Sequence, residues 1–235
     1  MEAHFLGLVD YEACLALQQR LVYEVSGRTD GQIALLICEH SNLITIGRHG
    51  SRAHICLDDD QLVSRQLQVR WVNRGGGCIV HAPGQLAVYP IVPLAWHGLT
   101  VGAYLSRLTS GILSALAQVR VAAEYQPGGC GIWMRGGQVA VVGAAVKNWT
   151  TYHGAFINVS PAIQLFRPVQ TDALSRQPMS SLAAQLHHPP RMAALRAELV
   201  PQLATAFGCG RYHLYTGHPL MANLRLLNSH ATCVG

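Results

Sequence analysis

Lysine is almost missing from this chain. Of its 17 basic residues only Lys147 is a lysine; the others are arginines. Charged residues make up 12% of the 235 positions, and the formal net charge is +5. No basic run or basic helix stripe occurs, which argues against a nucleic-acid binder. The mild positive charge suits acidic protein partners. No apolar run approaches the roughly 18 residues that a membrane span requires. The first residues, MEAHFLGLVDYEA, carry an early glutamate and no basic segment, so no signal peptide is expected and the cytoplasm is the expected setting.

The seven cysteines are Cys14, Cys38, Cys56, Cys78, Cys130, Cys209 and Cys233, and no two are spaced as CxxC. That pattern disfavours a disulfide scaffold or structural zinc, so no metal is expected and the thiols read as small buried hydrophobes. Twelve histidines are present, but the pair His187 and His188 lacks ligand spacing for a helix.

Half of the residues are apolar, enough for a sizeable core. Three segments have helical periodicity. Cys14, Leu17, Leu21 and Val25 mark the first. Val101, Leu105, Leu108, Ile112 and Leu116 mark the second, with Thr100 as its cap. Met192, Leu195, Leu199 and Leu203 mark the third, where Pro201 is expected to kink or split the helix. Between them lie the strand-like runs QIALLICE, NLITIG, QVRWVN, QLAVYPIVP, GIWM, QVAVVGAAV and YHGAFINV. Continuous runs such as IALLI indicate strands covered on both faces. Helix, strands, helix, strands, helix is an α+β order. Periodicity fades from Cys209 onward.

The stretch RGGGCIVHAPGQLAVYP, Arg74 to Pro90, is the densest motif. Gly75, Gly76 and Gly77 permit close backbone approach to a ligand, and backbone N–H groups there can cradle an oxygen. It is neither a Walker loop nor a dinucleotide fingerprint, since no Gly-Lys-Ser/Thr follows and no helix opens. A glycine-rich hairpin with no ligand is an equal reading on spacing alone. His81 can serve as base, donor or structural hydrogen-bonding group; His153 reads as a structural group in its turn.

This motif closely resembles the lipoate-protein ligase B family, the octanoyltransferases of lipoate biosynthesis. YEACLALQQRLV, LLICEHSNLITIGRHGS, GIWMRGGQVAVVGAAVKNWTTYHGAFINV and MSSL resemble further family segments, over roughly Leu8 to Phe207. Gly77 also makes the loop similar to the Gly-Gly-Gly loop of ligase A. The resemblance implies an α+β fold with one central mixed β-sheet flanked by helices, of the biotin/lipoate protein ligase type. With the fading periodicity, it leads to a catalytic domain over 1–208 and an expected loosely packed extension over 209–235. It implies transfer of octanoyl from acyl carrier protein to a lysine of a lipoyl domain, on a 2-oxoacid dehydrogenase or the glycine cleavage H protein, with no cofactor. The acyl site it implies is Arg74, Gly75, Gly76, Gly77, Cys78, Ile79, Val80, His81, Val141, Val142, Gly143, Gly154, Ala155 and Phe156.

Two family positions depart from the pattern. The family lysine falls on Gln138, and the family cysteine on Thr171 or Asp172. A thiolate is the reactive species in such chemistry, and a nearby ammonium favours it. Four readings follow: a relocated nucleophile, Cys78 or Cys130, with Lys147 supplying charge; direct transfer in a ternary complex; an inactive homologue that binds acyl groups or lipoyl domains; and, ranked last, an ATP-dependent lipoate ligase.

Overall fold

The computed structural model describes residues 1–126, 131–171 and 178–221. A mixed eight-stranded sheet dominates. Its strands are β1 (Glu2–Val9), β2 (Ala34–His40), β6 (Gln85–Ile91), β7 (Glu124–Tyr125), β8 (Gly131–Met134), β9 (Gly137–Lys147), β10 (Thr150–Asn158) and β11 (His213–Thr216). The spatial order is β11-β1-β2-β6-β10-β9-β8-β7. β1 pairs in parallel with β2 and β11, and the remaining pairs are antiparallel. A smaller sheet, in the order β4-β3-β5, comprises β3 (Leu43–Ile46), β4 (Gln68–Trp71) and β5 (Cys78–His81).

Both faces of the large sheet are covered, as the IALLI run requires. On β2, Leu35 and Ile37 point to one side and Leu36 and Cys38 to the other, the two-residue period of a strand. The first side packs on α3 (Val101–Gln118) and α5 (Met192–Ala206) through Leu108, Ile112, Leu116, Leu195, Leu199 and Leu203. The helices approach closely at Gly111, where a Cβ would lie 2.7 Å from a Leu203 methyl. The second side packs on α1 (Tyr11–Ser26) through Cys14, Leu17, Leu21 and Val25. A third apolar cluster, Ile44, Ile46, Leu57, Leu62, Val80 and Phe166 among others, lies against the small sheet.

Local signals explain the helix starts. Asp10 accepts from the Ala13 N–H and Thr100 from the Ala103 N–H, satisfying donors that the first turn leaves free. The short helix α2 (Asp59–Ser64) has a full capping box between Asp58 and Gln61. Another short helix, α4 (Leu182–Gln185), starts at Ser181. Pro201 does not split α5, contrary to expectation. Its missing N–H would have served the carbonyl of Ala197, which is exposed. The packed stripe Leu195, Leu199 and Leu203 stays helical across it. Beyond Cys209, where the sequence reading ends the domain, β11 extends the sheet at β1. Among the described residues no helix is long and apolar enough to cross a membrane.

Candidate active site

The three glycines form a clamped crossing between β4 and β5. The segment after β3 holds one side: the N–H groups of Gly47, Arg48 and His49 donate to the carbonyls of Gly77, Arg74 and Gly76 at 3.0, 3.0 and 3.1 Å. Gly76 has φ +85°, and a Cβ on Gly47 would lie 2.4 Å from the Gly76 oxygen, so both positions need glycine. The other side rests on the large sheet. The Gly75 N–H donates to the Ala144 carbonyl at 3.0 Å. A Cβ on Gly143 would stand 2.7 Å from the Gly75 oxygen. Gly143 faces Gly154 across the β9–β10 ladder.

Arg74 turns inward and is fully buried. Its Nη1 donates to the Gly75 carbonyl at 3.0 Å; its Nη2 donates to the Thr45 carbonyl at 3.0 Å and to Thr45 Oγ1 at 2.8 Å. From there a directed chain runs across the molecule. Gln85 Nε2 donates to the Val80 carbonyl and to Asn158 Oδ1, each at 2.9 Å, so Gln85 Oε1 is the acceptor for His81 Nδ1 at 3.0 Å. His81 therefore carries its proton on Nδ1, and its Nε2 accepts from the Thr45 hydroxyl at 2.9 Å. Asn158 Nδ2 donates to the Ser180 carbonyl at 3.0 Å, and the Ser180 N–H donates to the Gln138 carbonyl at 2.8 Å. The chain thus links the glycine crossing to the backbone of Gln138.

Burial fixes the charge states. Arg74 is lowered to about 10 by desolvation, which leaves it cationic at neutral pH. His81 is held well below the usual imidazole value by burial, with His40 and Arg74 adding repulsion. Burial brings His153 down to about 3, again with help from Arg74. These imidazoles are neutral. Rings pack round them: Phe156 lies 4.6 Å from His81 between centroids and Tyr11 5.4 Å.

Three buried polar atoms here have no hydrogen-bond partner among the described residues: Arg74 Nε, His153 Nδ1 and the Tyr11 hydroxyl. Native buried groups are nearly always satisfied, so such orphans mark a place for a ligand or water. His153 is also strained. It has φ +56° within β10, and its N–H is held by Gln18 Oε1 of α1 at 2.8 Å. Backbone strain of this kind concentrates at functional sites.

The structure divides the residues expected from the sequence. Arg74, Gly75, Gly76, Gly77, Ile79, His81, Val141, Gly143, Gly154 and Phe156 belong to the glycine crossing or to the side of the large sheet that α1 covers. The other side chains turn away, because contiguous residues of a strand alternate between faces. Cys78 and Val80 enter the third apolar cluster, and Val142 and Ala155 face the α3 core. The Cys78 thiol donates to the Ser51 carbonyl at 3.5 Å, and burial raises its pKa, the opposite of an activated nucleophile. Lys147 is exposed at the far end of β9 from Gln138. The Gln138 carboxamide lies over Gly131, where a Cβ would come within 2.1 Å of its nitrogen. Thr171 is half-buried, while Asp172 and Cys130 lie outside the described residues.

Thr45, Gln85, Asn158, Gln18 and Tyr11 were not singled out from the sequence. The available signal was a polar residue inside an apolar strand run, as Thr45 is in NLITIG.

Comparison with known proteins identifies the family and the fold. The model of the lipoyl protein ligase A/B catalytic domain family matches residues 10–204. An octanoyltransferase of Chloroflexus aggregans is 34% identical over 212 residues, covering 88% of this chain and 95% of that one. An octanoyltransferase of Geobacter metallireducens is 36% identical over 184 residues, covering 78% and 83%. A lipoate-protein ligase A crystallised with ATP shares the fold at TM-score 0.74, with 13% identity, covering 95% of this chain and 92% of that one. A biotin protein ligase of Aquifex aeolicus has TM-score 0.53 at 10% identity, covering 88% and 70%. This chain belongs to the lipoyl protein ligase A/B catalytic-domain family.

Proposed function

We propose that this chain is an acyltransferase of protein lipoylation, moving an octanoyl group in the cytoplasm from acyl carrier protein to a lysine of a lipoyl domain, on a 2-oxoacid dehydrogenase or the glycine cleavage H protein. The observation that carries the reading is the match to octanoyltransferases along nearly their whole length, on a chain whose glycine crossing is built around a buried arginine. The net charge of +5 suits acidic partners.

The route we propose is direct transfer. Cys78 faces an apolar cluster, which removes support for it as nucleophile. In direct transfer the acceptor lysine, arriving as a neutral amine, attacks the thioester carbonyl. The carbon–sulfur bond breaks, and the thiolate leaves and takes the amine proton, so amide and thiol are the products. The chain contributes alignment of the two reactants. It also offers unpartnered donors near the glycine crossing, among them Arg74 Nε. A second reading, a homologue that holds an acyl group or lipoyl domain without turnover, is favoured by Gln138 standing at the family lysine position and Thr171 or Asp172 at the family cysteine position.

The test is octanoyl carrier protein plus an apo-lipoyl domain, without ATP, followed by acceptor mass. Direct transfer predicts one added octanoyl group, with the activity retained in Cys78→Ala and Cys130→Ala. Loss of activity in either folded variant would restore a cysteine route. Binding without product would leave the holding role and overturn transfer.

A further inference from the structure

We propose that Cys14, Cys38 and His40 form a buried binding site for one zinc ion. The site stands apart from the acyl chemistry and does not depend on that proposal. Cys14 comes from α1; Cys38 and His40 come from the same side of β2. All three are buried, and their ligand atoms lie within 4.8 Å of one another. Among the described residues no other group of three or more His, Cys, Asp or Glu side chains is drawn together in this way.

Two of the three ligand spacings match tetrahedral coordination, and the third, Cys14 Sγ to His40 Nε2, lies within 4.8 Å. Zinc–sulfur bonds of about 2.3 Å and zinc–nitrogen bonds of about 2.0 Å place two sulfurs about 3.8 Å apart and a sulfur and nitrogen about 3.6 Å apart. Here the two Sγ atoms are 3.9 Å apart, and Cys38 Sγ is 3.5 Å from His40 Nε2. The surroundings also suit a metal. His40 Nδ1 donates to the Val9 carbonyl at 3.0 Å, which fixes the tautomer and leaves Nε2 as the nitrogen free to coordinate, 3.5 Å from Cys38 Sγ. Gln18 Nε2 is 3.8 Å from Cys14 Sγ, placed to donate to a thiolate. The Tyr89 hydroxyl, 2.8 Å from the same Nε2, would give up that bond when the nitrogen takes the metal. Two sulfurs and an imidazole select a borderline or soft ion over magnesium or calcium.

Binding would release the two thiol protons to solvent, leaving a neutral dithiolate–zinc centre. Because the site is closed, the ion would be taken up during folding. It would tie α1 to β2 beside the acyl site, since the His40 ring lies 6.0 Å from that of His81.

The test is elemental analysis of protein purified anaerobically without chelator, with refolding in cobalt(II) as a second readout. One zinc per chain is expected in the unaltered protein and in Cys56→Ser, whose thiol is exposed. Cys14→Ser should lose it. The cobalt form should show a sulfur-to-cobalt charge-transfer band that weakens in Cys14→Ser. Refolding the unaltered chain keeps the test decisive if a variant does not fold. The proposal is overturned if the unaltered protein holds no zinc and gives no such band. It is equally overturned if metal persists in Cys14→Ser, or if a two-hydrogen mass deficit traces to a Cys14–Cys38 bond.

Discussion

The Thr45 hydroxyl sits 2.9 Å from His81 Nε2 and donates to it, while the same oxygen accepts from Arg74 at 2.8 Å. One hydroxyl therefore meets the free nitrogen of a histidine whose tautomer Gln85 sets, and helps to aim the guanidinium. Thr45→Val keeps the shape and removes both bonds. It should cost about 1–3 kcal/mol, the penalty of leaving buried partners unmet. A denaturant midpoint equal to that of the unaltered protein would refute the relay.

Arg74 should resist conservative replacement. A lysine is one point charge and cannot reach the Gly75 and Thr45 carbonyls with a planar fork. Arg74→Lys and Arg74→Met should both lower stability, Met by about 2–4 kcal/mol as buried acceptors of a charged donor go unmet. Retention of full octanoyl transfer by Arg74→Lys would show that the fork is dispensable.

Acid should destabilise the fold before any carboxylate titrates. His153 is lowered from 6.5 to about 3, mainly by burial. Between that value and 6.5 the unfolded chain binds more protons than the folded one, so stability rises with pH across this window. His81 is shifted the same way. The urea midpoint should fall between about pH 7 and about pH 5. A midpoint that holds or rises would contradict the neutral buried imidazoles.

Gly143→Ala tests the contact between the two sheets. Its methyl would meet the Gly75 oxygen at 2.7 Å, and the crossing must lift or β9 must shift. Overpacking of this kind costs about 1–3 kcal/mol. The greater effect should fall on acyl transfer, reduced by about tenfold or more, because misplacement near 1 Å is that costly to reactant alignment. Unchanged transfer would separate the crossing from the chemistry.

Seven strands and three long helices were legible from periodicity; except in the exposed β4, their apolar residues largely follow the burial pattern. β1 was not, since Gly7 interrupts the pairing with β2 and leaves no regular alternation. β5 hid inside a motif whose glycines read as loop, yet Cys78–His81 is fully buried strand. Which side chains of the VVG and GAF segments share a face was not legible: Val142 and Ala155 point to the α3 core, opposite Val141 and Phe156. Thr45, Gln85 and Asn158 act through pairing across strands, which no local spacing encodes. Cys14 and Cys38 meet for the same reason, 24 residues apart, one on a helix and one on a strand.

The parallel strand β11 has a consequence for how this protein can be shortened. The family match stops at residue 204, and cutting there looks natural. Such a cut would remove His213–Thr216 and bare the outer edge of β1 from Glu2 to Phe5. Unpaired N–H and C=O groups along a strand edge recruit other chains. A trimmed version would keep the whole glycine crossing and still be prone to self-association, so the exposed tail strand acts as a guard rail for the domain.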